Sequence, residues 1–248
     1  MSSVIQVRGL TKKFGQQFTA VNDLSFSVHK GDVYGFLGQN GAGKSTTIRM
    51  LLSLIEPTAG DIEIFGLPLA ANRSAIMQKV GAVIEKPAMY EYLTAYQNLK
   101  IFSALSGVSK TKTQLLQELD VVGLAARAQD NVGTFSQGMK QRLAIAMAMV
   151  NDPELILLDE PTNGLDPQGI ADIRNLILHL SREQGKTVLV SSHLLSEIEQ
   201  VATRLIIIDK GCKLVEGDSK ELFDTSKTVV AIQTLDNKKA TELLLQSN

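Results

Sequence analysis

A chain of 248 residues can bury a large core, as one sizeable domain or two small ones. Its 25 Lys and Arg against 26 Asp and Glu give a formal net charge of −1, which argues against a surface built mainly for nucleic acid. The apolar runs, such as Leu143–Val150, fall short of the roughly 20 residues that a membrane-spanning helix needs.

The N-terminus, Met1 to Arg8, lacks the charged-then-apolar pattern of a secretory signal. A single cysteine, Cys212, can form no internal disulfide and no cysteine cluster, and is expected to be buried or half-buried on a late strand. A cytosolic chain is expected, one that would reach a membrane only through a partner.

The first third alternates as antiparallel sheet does. In Leu24–Val28 every second residue is apolar, and His29–Asp32 reads as a turn. Val33–Leu37 is a nearly continuous apolar strand, followed by a glycine-rich loop and a helix through Ile48 to Ile55. Asp61–Phe65 and Val80–Ile84 are further short strands. The spacing then turns helical for nearly sixty residues, predicting helices over Thr94–Ser106, Lys110–Val122 and Gln137–Val150, with Gly107 and Gly123 as stops.

Strands and helices alternate again from Leu155–Leu158. A helix with Ile170, Ile173, Ile177 and Leu180 on one face follows, then the strand Thr187–Ser191. A helix over Leu194–Ala202 and the strands Leu205–Ile208 and Lys213–Glu216 complete the pattern. Buried strands alternating with helices predict an α/β fold with a largely parallel sheet, preceded by an antiparallel β subdomain. The all-helical stretch, about 88–150, is too long for a crossover and reads as an inserted subdomain. The main domain is expected over 1–226, and 227–248 reads as a short βα extension.

Chemistry enters at Gly38-Gln-Asn-Gly41-Ala-Gly43-Lys44-Ser45, which has the spacing of a phosphate-binding loop, after a strand and opening a helix. Glycines let backbone N–H groups converge on phosphate oxygens, and the helix N-terminus adds its positive end. Gly38, Asn40, Gly41, Gly43 and Thr46 are candidate nucleotide contacts beside Lys44, which would neutralise the β- and γ-phosphates. The Ser45 hydroxyl is the candidate Mg2+ ligand. A nucleoside triphosphate is the expected ligand.

The strand Leu155–Leu158 ends in Asp159-Glu160, two carboxylates that are costly at a strand end unless they meet a cation or water. Asp159 is a candidate for holding Mg2+ through water, and Glu160 for polarising the attacking water. His193 follows the apolar strand ending at Ser191-Ser192, at the same sheet edge, where an imidazole could touch the γ-phosphate or that water. His29 and His179 are expected at the surface. Ser136-Gln137-Gly138 opens a helix and reads as a second anion site. It lies away from the phosphate loop, which suggests a dimer in which each chain completes the other's site.

The order of Gly38–Ser45, Phe135–Met139, Leu155–Glu160, Asn163–Asp166 and His193 resembles the nucleotide-binding subunit of ATP-binding-cassette (ABC) transporters, over about Val4 to Phe223. The resemblance implies a P-loop NTPase core of RecA type, ATP and Mg2+ as cofactors, and ATP hydrolysis coupled to transport. It implies that Phe14 stacks on adenine, and that Ser136, Gln137 and Gly138 reach ATP across a homodimer or heterodimer. Asp166 would couple the two sites.

A separate transmembrane permease is the implied partner, nucleic acid is not, and the implied location is the inner face of the cell membrane. Two departures stand out. The signature segment reads Ser-Gln-Gly-Met, and Glu85 stands where the family usually has Gln as a Mg2+ contact. Glu85, the following Pro-x-x-Tyr segment and Leu-Thr-Ala-x-x-Asn-Leu are similar to the bacitracin-resistance and lantibiotic-immunity exporters. Pro87–Tyr96, with three of the four tyrosines, is expected to receive a helix of the permease. The rival expectation is a soluble, non-transport cassette ATPase acting in assembly or repair.

Overall fold

The computed structural model describes residues 3–15, 17–84 and 89–224. Glu85 and the expected extension over 227–248 lie outside the described residues. Two sheets organise the rest. One has four antiparallel strands in the order β2-β1-β4-β5, built from β1 (Ser3–Phe14), β2 (Phe18–His29), β4 (Ala59–Ile64) and β5 (Leu67–Pro68).

The other has six strands in the order β10-β9-β3-β8-β7-β6. These are β3 (Val33–Leu37), β6 (Val80–Val83), β7 (Leu155–Leu158), β8 (Thr187–Ser192), β9 (Arg204–Asp209) and β10 (Cys212–Asp218). Neighbours run parallel except β9 and β10. β3, β7 and β8 are buried at every residue, as strands covered on both faces must be.

Helix α1 (Lys44–Leu51) buries Ile48, Met50 and Leu51 in the core shared with the antiparallel sheet. The opposite face of the large sheet is covered by α3 (Ala95–Leu105), α4 (Lys112–Val121), α5 (Gln137–Met149), α6 (Pro167–Arg182) and α7 (Leu195–Val201). Three of these, α3 to α5, stand between β6 and β7 in the chain, where the helical spacing predicted them. Their ends follow local chemistry. Thr94 with Gln97, and Thr111 with Gln114, form reciprocal capping boxes, each contributing about 1 kcal/mol. Gly107 and Gly123 stop α3 and α4 in the left-handed conformation, at φ 74° and 67°.

The structure adds a helix that the sequence did not signal, α2 (Leu69–Met77). It has no side-chain cap, buries only Leu69 and Ile76, and is kinked at Asn72, so it lacks both a start signal and a periodic apolar face. Short 3-10 turns at Ala125–Arg127 and Val132–Thr134 were likewise unmarked, and a four-residue α8 (Ser219–Leu222) follows β10. Cys212 corrects its expectation: it lies on β10 but is exposed. His29 and His179 are both partly exposed, His179 with Nδ1 3.0 Å from Glu183 Oε2 at the surface.

Candidate active site

Parallel register determines what meets at the sheet's carboxyl edge. Leu37 of β3 pairs with Ser192 of β8, and Leu158 of β7 pairs with Val190. The segments that follow these strands therefore emerge side by side: the phosphate loop, Asp159-Glu160, and Ser191 to His193. In an open α/β sheet this edge is where ligands bind. The loop is tied to β8 directly, Gly38 N–H donating to the Ser192 carbonyl at 3.2 Å.

The loop's glycines answer to sterics. Gly43 has φ 108°, and a Cβ there would lie 2.6 Å from the Ala20 carbonyl oxygen. A Cβ on Gly38 would lie 2.6 Å from the Ile208 carbonyl oxygen. Helix α1 then opens with no side-chain cap and no acidic residue in its first turn. Its N-terminal N–H groups and positive end are left to face an anion. Ser45 and Thr46 are half-buried in that turn. Lys44 is 5% exposed, and its Nζ donates to the Gly38 carbonyl at 2.6 Å and to the Gln39 carbonyl at 3.3 Å.

Lys44 Nζ also lies 3.0 Å from Glu160 Oε1. The second oxygen of Glu160, Oε2, lies 2.9 Å from His193 Nδ1. One carboxylate thus joins the phosphate-loop lysine to the histidine after β8. Glu160 stands in the left-handed region at φ 48°, a costly conformation for a residue with a Cβ. Its N–H donates to Ser191 Oγ at 2.9 Å, and the Ser191 hydroxyl donates to Asp159 Oδ1 at 2.6 Å. Asp159 is 8% exposed and Ser191 is fully buried.

Behind this lies a second junction. Glu197 Oε2, in the first turn of α7, accepts from Thr162 Oγ1 at 2.7 Å and from Ser192 Oγ at 2.8 Å. Sequence reasoning assigned roles to Asp159, Glu160 and His193 but none to Ser191 or Glu197. The only signal for either was its nearness in sequence to His193.

The cleft over the loop is lined by Asn40, Gly41, Gly43, Lys44, Ser45, Thr46 and Glu160, and its aromatic wall is Phe18. Phe14, which the sequence singled out, does not line this cleft. Its ring stacks on Phe18 at 6.4 Å with planes 24° apart, and Lys12 Nζ sits 5.2 Å from its centroid. Two exposed aromatics thus form a pair at the cleft mouth, of which the family resemblance implied only Phe14.

Ser136, Gln137 and Gly138 are not among the residues lining the cleft. Ser136 caps α5, its Oγ accepting from Met139 N–H at 3.3 Å, and no acidic residue occupies that helix's first turn. Gly138 lies against the start of α6, where a Cβ would be 3.6 Å from Gly169 Cα. Asp166 caps α6 by accepting from Gly169 N–H at 3.0 Å, so the signature segment and the Asp166 turn are neighbours.

The tyrosine-bearing segment is fixed differently. Buried Asn98 accepts from Tyr90 N–H at 2.9 Å and donates to the Tyr90 carbonyl at 3.0 Å. Residues 91–96 bond along 128–133: Gly133 N–H donates to the Glu91 carbonyl at 2.8 Å, and Val132 N–H to the Leu93 carbonyl at 3.0 Å. Lys140 of α5 pairs with Glu91 at 2.6 Å. Tyr90 and Tyr92 remain exposed, ring edge to ring face at 6.0 Å.

The chain is similar to known proteins over most of its length. Residues 21–163 match the ABC transporter family. The chain is 46% identical over 246 residues to the bacitracin transport ATP-binding protein BcrA of Bacillus licheniformis, covering 99% of this chain and 80% of that one. It is 39% identical over 215 residues to the lantibiotic transport ATP-binding protein SrtF of Streptococcus pyogenes, covering 87% of this chain and 91% of that one. A dimeric ATP-binding cassette, MJ0796, in a post-hydrolysis state bound to ADP and Pi, superposes with a TM-score of 0.76 at 26% identity, over 87% of this chain and 98% of that one. The chain belongs to the ABC transporter family, as an ATP-binding and ATP-hydrolysing subunit.

Proposed function

We propose that this subunit hydrolyses MgATP between paired cassettes and powers the export of an antimicrobial peptide. The observation that carries the catalytic part is Glu160, with one oxygen 3.0 Å from Lys44 and the other 2.9 Å from His193. Lys44, with the N–H groups of the loop and the first turn of α1, holds the β- and γ-phosphates. Glu160 receives a proton from the attacking water, its Oε1 held beside the Lys44 ammonium at 3.0 Å. His193 orients that carboxylate and adds a donor near the γ-phosphate.

Ser45 and Asp159 offer an oxygen-only donor set, which suits Mg2+. Among the described residues no group of three or more His, Cys, Asp or Glu forms a closed metal cage. Asp159 and the Ser45 hydroxyl would leave further positions on such an ion to waters, phosphate and other oxygen donors. Bound there, Mg2+ supplies charge neutralisation at the phosphates. Glu85 is proposed as a further contact to that ion. Phe14 and Phe18 offer their rings to the adenine.

Ser136, Gln137 and Gly138 serve the nucleotide of the partner cassette. They sit at the N-terminus of a 13-residue helix that has no acidic residue in its first turn, the geometry of an anion site. Asp166, adjacent to Gly138, relates the two sites. In this reading the cassette spans 1–226, with a helical part at about 88–150 inserted between β6 and β7, and 227–248 is a short extension.

No helix of the described residues is long and apolar enough to cross a membrane. The transport relatives support a subunit that joins the cytoplasmic face through a separate permease. A groove beside the edge strand β6, lined by Ala82, Val83, Ile84, Phe102, Ala144 and Met147, lies open for a permease helix. Tyr90 and Tyr92 offer exposed rings as a further contact for that helix. The cargo reading rests on the names of the bacitracin and lantibiotic transport relatives. Crosslinking in membranes from a cysteine at Tyr92 should capture a polytopic membrane protein. Absence of any such product would count against the permease face.

A further inference from the structure

We infer that Ser191 is a positioning residue for hydrolysis, which sets both the catalytic carboxylate and the metal-side carboxylate through one hydroxyl. The inference rests on the roles proposed above for Glu160 and Asp159. A serine hydroxyl has one proton to give and lone pairs to accept with. At Ser191 both functions are used. The proton goes to Asp159 Oδ1 at 2.6 Å, and a lone pair takes the Glu160 N–H at 2.9 Å.

Both bonds lie in dry surroundings, with Ser191 at 0% and Asp159 at 8% exposure. There an unmade bond to either group is costly and the geometry of a made one is tightly held. The bond from Glu160 N–H matters because Glu160 is the residue at φ 48°. A backbone held in the left-handed region by a non-glycine residue persists only when its surroundings over-determine it. Ser191 Oγ supplies one such restraint, and the parallel register of β7 and β8 places it there.

That backbone angle determines where the Glu160 side chain leaves the strand end, and so its two contacts to Lys44 and His193. The other bond occupies one oxygen of Asp159 and fixes the plane of its carboxylate, which decides the direction the second oxygen faces. Outer hydrogen-bond partners of this kind orient metal-side ligands and typically matter 10- to 100-fold. Ser191 is fully buried behind the two carboxylate-bearing residues. It acts only through its two neighbours.

The test uses the full chain and four measurements: kcat, KM for ATP, nucleotide affinity by titration, and thermal midpoint. Ser191→Ala should lower kcat roughly 10- to 100-fold, while nucleotide affinity measured without Mg2+ stays at the parent value and the Mg2+ needed for half-maximal rate rises. Ser191→Cys, close in volume but a weak donor and acceptor, should fall between parent and Ser191→Ala; it also serves if the alanine variant does not fold. Parent-level kcat in a folded variant overturns the inference. So does a loss that appears in nucleotide affinity with kcat intact. Glu160→Gln, measured in parallel, separates the two ideas: if it hydrolyses at the parent rate, the reading of Glu160 fails; if it is inactive while Ser191→Ala is not, only the role of Ser191 fails.

Discussion

The nucleotide edge and the tyrosine-bearing face are held by opposite means. At the edge, side chains fix side chains: Lys44, Glu160 and His193 form a chain of contacts, and Ser191 and Glu197 hold it from behind with hydroxyl–carboxylate and amide bonds. At the tyrosine face, backbone fixes backbone. Residues 91–96 run along 128–133, Asn98 clamps Tyr90, and the tyrosine rings project from that support without ties of comparable depth. An edge that performs chemistry needs its polar groups preorganised in a dry setting. A face that meets a partner needs a rigid base and free rings, because its aromatic groups gain their contacts on docking.

The two regions are also connected. The backbone run along 128–133 leads within three residues to Ser136, and Glu91 pairs with Lys140 on the helix that Ser136 caps. On the proposed assignments, these contacts would give the permease face a short physical route to the signature segment.

Variants can break the comparison from either side. The largest effect is expected at Lys44→Ala, which removes several charge-assisted bonds to phosphate. At about 1.5–3 kcal/mol each, nucleotide affinity should fall by on the order of a hundredfold or more, and an unchanged titration would refute the phosphate-loop assignment. Next comes Gly43→Ala. The residue would sit at φ 108° with its Cβ against the Ala20 carbonyl, so denaturant unfolding should show a loss of about 1–3 kcal/mol together with weaker nucleotide binding.

On the other side, Asn98→Ala removes the side-chain acceptor of the Tyr90 N–H and leaves the Tyr90 carbonyl with the Leu93 N–H alone. It should cost about 1–3 kcal/mol in stability while nucleotide affinity remains that of the parent. A loss of nucleotide binding equal to that of Gly43→Ala would show that the two regions are not separately supported. The smallest effect on the fold is expected at Tyr92→Ala, whose ring is 74% exposed. Stability should change by no more than about 0.5 kcal/mol, while the amount of permease pulled down from membranes falls.

Much of the nucleotide edge was legible because its parts have sequence signatures: two glycines and a lysine at fixed spacing, a strand ending in two carboxylates, a histidine after another strand. Each signature reflects a local requirement that the sequence must satisfy in a short window. Ser191 and Glu197 were not legible, since their partners come from β7 and the loop after it, about thirty to thirty-five residues away. A serine in a buried strand looks the same whether or not a carboxylate lies beside it.

Phe18 was overlooked for a related reason. Whether an aromatic residue near a turn lines a cleft depends on how two strands fold back on each other, and Phe14 and Phe18 pair across that turn. Helix α2 escaped because it has neither cap nor periodic face. The long helices were plain from their caps, their glycine stops and their apolar spacing.

The central claim is that Glu160, held by Ser191 and placed between Lys44 and His193, is the group that makes bound ATP react. Glu160→Gln tests it most directly, with hydrolysis and dimer formation measured on one preparation at saturating MgATP. The account predicts that hydrolysis falls by roughly 10²- to 10⁴-fold while nucleotide still binds and an ATP-bound dimer accumulates in size-exclusion chromatography. Hydrolysis at the parent rate would contradict it.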